Sequence, residues 1–131
     1  MFRADIEKAI YELPDNIKGH ITTLGSECLE LLNTYLSDHE EVKHISSASP
    51  KPDTSYNCLL ALTDRRLIFV APAPQAVGWR LSTITRAQSY GGYFFVEGDA
   101  GKYSPGIDGD WGSRFETQVK HAITVAVLAG E

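Results

Sequence analysis

The stretch Cys58-Leu59-Leu60-Ala61-Leu62-Thr63-Asp64-Arg65-Arg66-Leu67-Ile68-Phe69-Val70-Ala71 decides the fold. Two apolar runs, 58–63 and 66–71, flank Asp64-Arg65, and a two-residue gap between such runs has the length of a tight antiparallel hairpin. Neither run alternates polar with apolar, which is the pattern of well-buried strands. Ala71-Pro72-Ala73-Pro74 ends the second run, because proline cannot donate to a ladder. Beyond it Val77, Trp79 and Leu81 alternate with Gly78, Arg80 and Ser82, the period of a half-buried strand. Ile84 to Tyr90 continues after a bend, Gly91-Gly92 is a turn, Tyr93 to Glu97 a strand, Gly98-Asp99-Ala100-Gly101 a turn, and Lys102 to Ile107 a last strand. Before the hairpin, Val42 to Ala48 reads as the first strand, followed by a loop, Ser49 to Thr54, with prolines at 50 and 52. The spacing therefore predicts seven short strands.

Both flanks read as helix. Phe2, Ile6, Ile10 and Leu13 recur at helical spacing until Pro14 stops them. Ile17, Ile21, Leu24, Cys28, Leu31, Leu32 and Tyr35 predict a second helix ending near Ser37-Asp38, weakened by roughly 1 kcal/mol at each of Gly19 and Gly25, where a break is plausible. At the other end Asp110 is the N-cap candidate for a helix reaching about Leu128, with Phe115, Val119, Ala122, Ile123 and Ala126 as its apolar stripe. Val125 and Leu128 fall outside the stripe, so the helix end is expected to meet two partners: the sheet, and either the N-terminal helices or a second copy. This gives an N-terminal extension of two helices over 1–40, packed on a domain of 41–131.

Composition narrows the function. At 131 residues and 43% hydrophobic, the chain fits one domain that buries roughly two thirds of its surface. No apolar run approaches the ~18 residues of a membrane span. The net charge of -5 disfavours nucleic acid and anionic membranes as general partners, since both are gathered by a positive field. Cys28 and Cys58 do not make a disulfide framework, and Met1 to Asp5 leads into no apolar signal core, so a reducing cytoplasm is expected.

Seven antiparallel strands closed by one C-terminal helix is the element order of the pleckstrin-homology (PH) architecture, an α+β fold whose bent sheet, or partly open barrel, is capped by the helix. Leu62-Thr63-Asp64-Arg65-Arg66-Leu67-Ile68-Phe69-Val70 resembles the central hairpin of bacterial PH-like domains of the YokE type, with Trp79-Arg80-Leu81, Ile84-Thr85 and Gly91-Gly92 matching the features that follow it. The likeness covers about residues 40 to 128. It implies a non-catalytic interaction or scaffolding module, serving protein–protein contact or self-association, with no single ligand fixed.

PH domains that hold inositol phosphates use a basic first hairpin. Here Lys43 and Lys51 face Tyr56-Asn57-Cys58-Leu59 with no arginine, and Glu40, Glu41 and Asp53 lower the local potential. The other cations are scattered, but convergence of Arg65 and Arg80 at one sheet edge would let an anionic peptide or small ligand dock; otherwise they are solvated charges. The alternative function is binding of an anionic small ligand or lipid headgroup at the open end of the sheet. Tyr93 and Phe95 point away from Phe94 and Val96, so they are either covered by the N-terminal helices or exposed for a partner. The acidic neighbours Glu97 and Asp99 argue against base stacking. Lys51, Arg65, Arg66, Arg80, Tyr93 and Phe95 are thus the candidate contact residues. His20, His39, His44 and His121 form no zinc pattern, and Asp108-x-Asp110-x-Gly112 lacks the glutamate a calcium loop needs at position 119, which is Val119. Cys28 and Cys58 read as inert core thiols and no phosphate loop is present, so no metal, cofactor or catalysis is expected.

Overall fold

A computed structural model of the protein describes residues 3–24, 26–50, 56–72 and 74–130. Three helices, α1 (Ala4–Tyr11), α2 (Asp15–Leu24) and α3 (Ser26–Tyr35), precede β1 (Val42–Ala48), β2 (Cys58–Thr63), β3 (Arg66–Ala71) and β4 (Gln75–Arg80). A 3-10 turn at Leu81–Thr83 leads to β5 (Arg86–Tyr90), β6 (Tyr93–Gly98), β7 (Gly101–Tyr103) and α4 (Gly109–Leu128). The strands form two antiparallel sheets, ordered β1-β2-β3-β4 and β5-β6-β7.

The hairpin forms where the sequence places it. Leu62 pairs with Leu67 next to the turn, and the Thr63 hydroxyl accepts the backbone N–H groups of Arg65 (3.0 Å) and Arg66 (2.8 Å), which closes the loop around Asp64-Arg65. Every residue of β2 is buried, which requires cover on both faces. That cover comes from α1 and α2 against β1, α3 against β2, β3 and β4, and from the second sheet with α4, which packs on β5, β6 and the 3-10 turn. Trp79 joins the sheets: its indole N–H donates to the Gly101 carbonyl at 2.9 Å and its ring is 1% exposed. Phe69 meets Tyr103 edge-on at 4.9 Å and Phe94 meets Phe115 at 5.6 Å, so one core runs through both sheets and α4.

Several expectations need correction. The strands do not make one continuous sheet or a closed barrel: the first ladder makes its last bond from the Leu81 N–H to the Arg65 carbonyl (3.0 Å), where β3 gives way to the hairpin turn, the Ile84 N–H then closes a 3-10 turn onto Leu81 (3.2 Å), and the second sheet starts at Thr85, bonded to Glu97. The strand expected over Ile84–Tyr90 accordingly begins at Arg86. The last strand, expected to reach Ile107, stops at Tyr103, since Pro105 has no N–H for the ladder; pairing with β6 resumes in the same register through the Phe94–Pro105 (2.8 Å) and Ile107–Gly92 (3.0 Å) bonds, and Gly106 also bridges Ser49. The predicted second helix is two, divided between Leu24 and Ser26, beside one of the two glycines that weaken it. The cap of α4 is Asp108, not Asp110: its carboxylate accepts the N–H groups of Asp110 (3.1 Å) and Trp111 (3.0 Å). Of the two alternatives for the end of α4, the N-terminal helices do not cover it, and Val125 and Leu128 are exposed in the single chain.

Candidate docking groove at the hairpin turn

The β2–β3 turn, the end of β4 and the loop between α3 and β1 enclose a groove of about 540 Å³ lined by Tyr35, Ser37, Glu40, Arg65, Arg66, Arg80, Ser82 and Ala126. Strand register explains the grouping, because Arg66 pairs with Arg80 across β3 and β4 and the Arg65 carbonyl holds Leu81. The three arginines predicted from sequence are brought together here, with unlike fates. Arg66 is committed to Glu40: its Nε donates to Oε2 at 2.9 Å and its Nη2 to Oε1 at 2.6 Å. Its guanidinium also lies 4.6 Å from the centre of the Tyr35 ring. Arg65 and Arg80 are exposed, and among the described residues neither guanidinium has a carboxylate or ring partner.

Glu40 is the residue that sequence reasoning misplaced. Expected as one of several surface acids, its side chain is 1% exposed and accepts, besides Arg66, the Thr63 hydroxyl at 2.7 Å and the Ser37 N–H at 3.3 Å. Burial pushes its carboxyl upward, but the bonds from Arg66 and Thr63 outweigh this and hold it below the usual glutamate range, while the same pairing raises Arg66. The groove's one carboxylate is therefore neutralised, leaving the charge of Arg65 and Arg80. No local motif links Glu40 to Arg66, which stands 26 positions away; only the buried run of β3 starting at an arginine hinted that this cation needs a partner.

A chain of bonds ties this corner to the N-terminus. Arg3 donates to the carbonyls of Ser37 (2.9 Å) and Glu40 and pairs with Asp5, whose carboxylate accepts the Val42 N–H at 2.8 Å. The loop carrying Ser37 and Glu40 is thus fixed from both sides, and the groove wall is preorganised.

The remaining candidates lie elsewhere. Lys51 falls outside the described residues. Tyr93 and Phe95 are half-buried on β6, in the other sheet, where Tyr93 stacks on Tyr90 at 5.5 Å and Phe95 lies beneath Arg86 at 5.1 Å. Burial pushes the thiols of Cys28 and Cys58 up to about 12 and about 11, so both stay protonated at neutral pH. Among the described residues no group of three or more His, Cys, Asp or Glu side chains could hold a metal ion, and no helix is long and apolar enough to cross a membrane. Comparison with known proteins finds no matching family model and no matching curated sequence.

Proposed function

We propose that this chain is a PH-like, non-catalytic interaction module that contacts a protein partner, or a second copy of itself, through the groove at the β2–β3 turn. The order of four and then three antiparallel strands followed by one helix supports the PH-like part of the reading. The observation that carries the contact is the pair Arg65 and Arg80: two guanidiniums lining one groove, with no carboxylate partner among the described residues, on a chain of net charge -5, where the third arginine and one carboxylate cancel. Opposite charge on a partner speeds encounter with such a pair.

The test compares the wild type with Arg65→Ala/Arg80→Ala by sedimentation velocity and by quantitative affinity capture from the protein's own cells. Loss of a self-contact or of a specific partner, at an unchanged melting temperature, is the expected result. Identical behaviour of the two proteins in both measurements would refute the reading. A second reading is an anionic small molecule or lipid headgroup in the same groove, favoured by the lack of an ion pair on either arginine's guanidinium among the described residues.

A further inference from the structure

We propose that the group docked between Arg65 and Arg80 is a phosphate monoester carried on a side chain of a protein partner. This rests on the interaction reading above and adds the chemistry of the ligand. A carboxylate offers two oxygens and one charge, which a single guanidinium fork satisfies. A phosphate monoester offers three acceptor oxygens and about two negative charges at neutral pH. The groove presents two free forks, and the hydroxyl residues Ser37 and Ser82 stand in the same wall, so it has donors for a third oxygen and positive charge for both negatives. Arg66 competes weakly, because Glu40 takes the Nε–Nη2 edge of its guanidinium and balances its charge.

The surroundings select a single phosphate over a charged surface. Asp38, Glu41 and Asp64 are exposed close to the groove in the chain, and the whole protein is acidic. Two arginines in a groove rimmed by carboxylates suit one anionic group, whereas an anionic bilayer would also meet these carboxylates. The backbone on either side is fixed, by the Thr63 turn bonds under Arg65 and by the Arg65–Leu81 bond beside Arg80. The backbone positions from which the two side chains reach into the groove are therefore set before any ligand binds.

The experiment titrates the full chain with O-phosphoserine, with acetate and with serine at matched ionic strength, reading amide shifts by NMR, and spins it with phosphatidylcholine–phosphatidylserine vesicles. Saturable phosphoserine binding is expected, weakened about tenfold or more in each of Arg65→Ala and Arg80→Ala, as loss of one charge-assisted contact implies. Lys18→Ala, on α2 and not part of the groove lining, leaves it unchanged. Both arginines are exposed, so these variants keep the wild-type melting temperature. The inference is overturned if phosphoserine does not saturate, if acetate binds as tightly, if the double arginine variant still binds, or if the protein pellets with vesicles without binding phosphoserine. Failure of phosphoserine together with partner loss in Arg65→Ala/Arg80→Ala refutes the phosphate and keeps the interaction reading. Phosphoserine binding with unaltered partner capture refutes the protein-borne source.

Discussion

Replacing Glu40 by glutamine tests the electrostatic account of this corner. The substitution keeps the volume but removes the charge that faces Arg66, and it turns one of two acceptor oxygens into a donor pointing at the guanidinium. Four bonds converge on the carboxylate, from Arg66 twice, Thr63 and the Ser37 N–H. Removing one member of a buried pair costs about 3–5 kcal/mol, because the other charge is left without compensation. Arg66 retains 23% side-chain exposure and its place over Tyr35, so water recovers part of the loss and the expected cost is about 3 kcal/mol, near the lower bound. Spread over a chain of this size that is a fall in melting temperature of ~10 °C. Urea unfolding monitored by tryptophan fluorescence reads it as a lower midpoint at unchanged slope. The cost depends on pH with a fixed sign. Glu40 titrates below its ordinary value when folded, so its contribution is complete above the unfolded-state value and is lost as pH falls through the folded one. Wild type and Glu40→Gln therefore converge on acidification. The double variant Glu40→Met/Arg66→Met, which removes both charges, recovers most of the loss. A cost below about 1 kcal/mol, the scale of an exposed pair, or a gap that does not close in acid, would refute the reasoning.

Other substitutions probe the packing. Trp79→Ala empties the joint between the sheets and removes the bond to Gly101, and is expected to destabilise by about 3–5 kcal/mol in chemical denaturation. Asp108→Ala strips the cap of α4 and costs about 1 kcal/mol, read as a small drop in melting temperature with unchanged near-ultraviolet dichroism. Gly109→Ala would bring a methyl group 2.9 Å from the Gly91 carbonyl oxygen, so it lowers stability where an alanine in a helix would ordinarily raise it; thermal unfolding decides the sign.

The β hairpin was legible because its signal is local: two apolar runs of strand length and a two-residue gap leave little else for Cys58 to Ala71 to do. The apolar stripe of α4 was legible for the same reason, and Phe115, Val119 and Ala126 are buried where its period puts them. The division into two sheets was not. It depends on β3 running out at the Asp64-Arg65 turn, so that the Leu81 N–H to Arg65 carbonyl bond is the last of the first ladder and the chain then turns at Leu81–Thr83, whereas alternation from Val77 to Ser82 runs on unbroken through that point. The end of β7 was visible in principle, since Pro105 lies inside the predicted strand. For the groove, residue type pointed to Arg65 and Arg80 but could not show that they adjoin, and it could not separate them from Arg66, whose distinction rests on a glutamate 26 positions away.

The clasp of Arg3 and Asp5 around Ser37, Glu40 and Val42 bears on how the chain can be divided. A fragment beginning at residue 41 would lose the helices that cover β1 to β3, leaving Leu59, Ile68 and their neighbours without part of their shelter, and would strip Arg66 of its counter-ion. Such a piece is expected to clump when expressed alone. Tags or fusions are better joined at the far end, where α4 finishes in open solvent, than ahead of Arg3, whose backbone N–H is already engaged by Asn33.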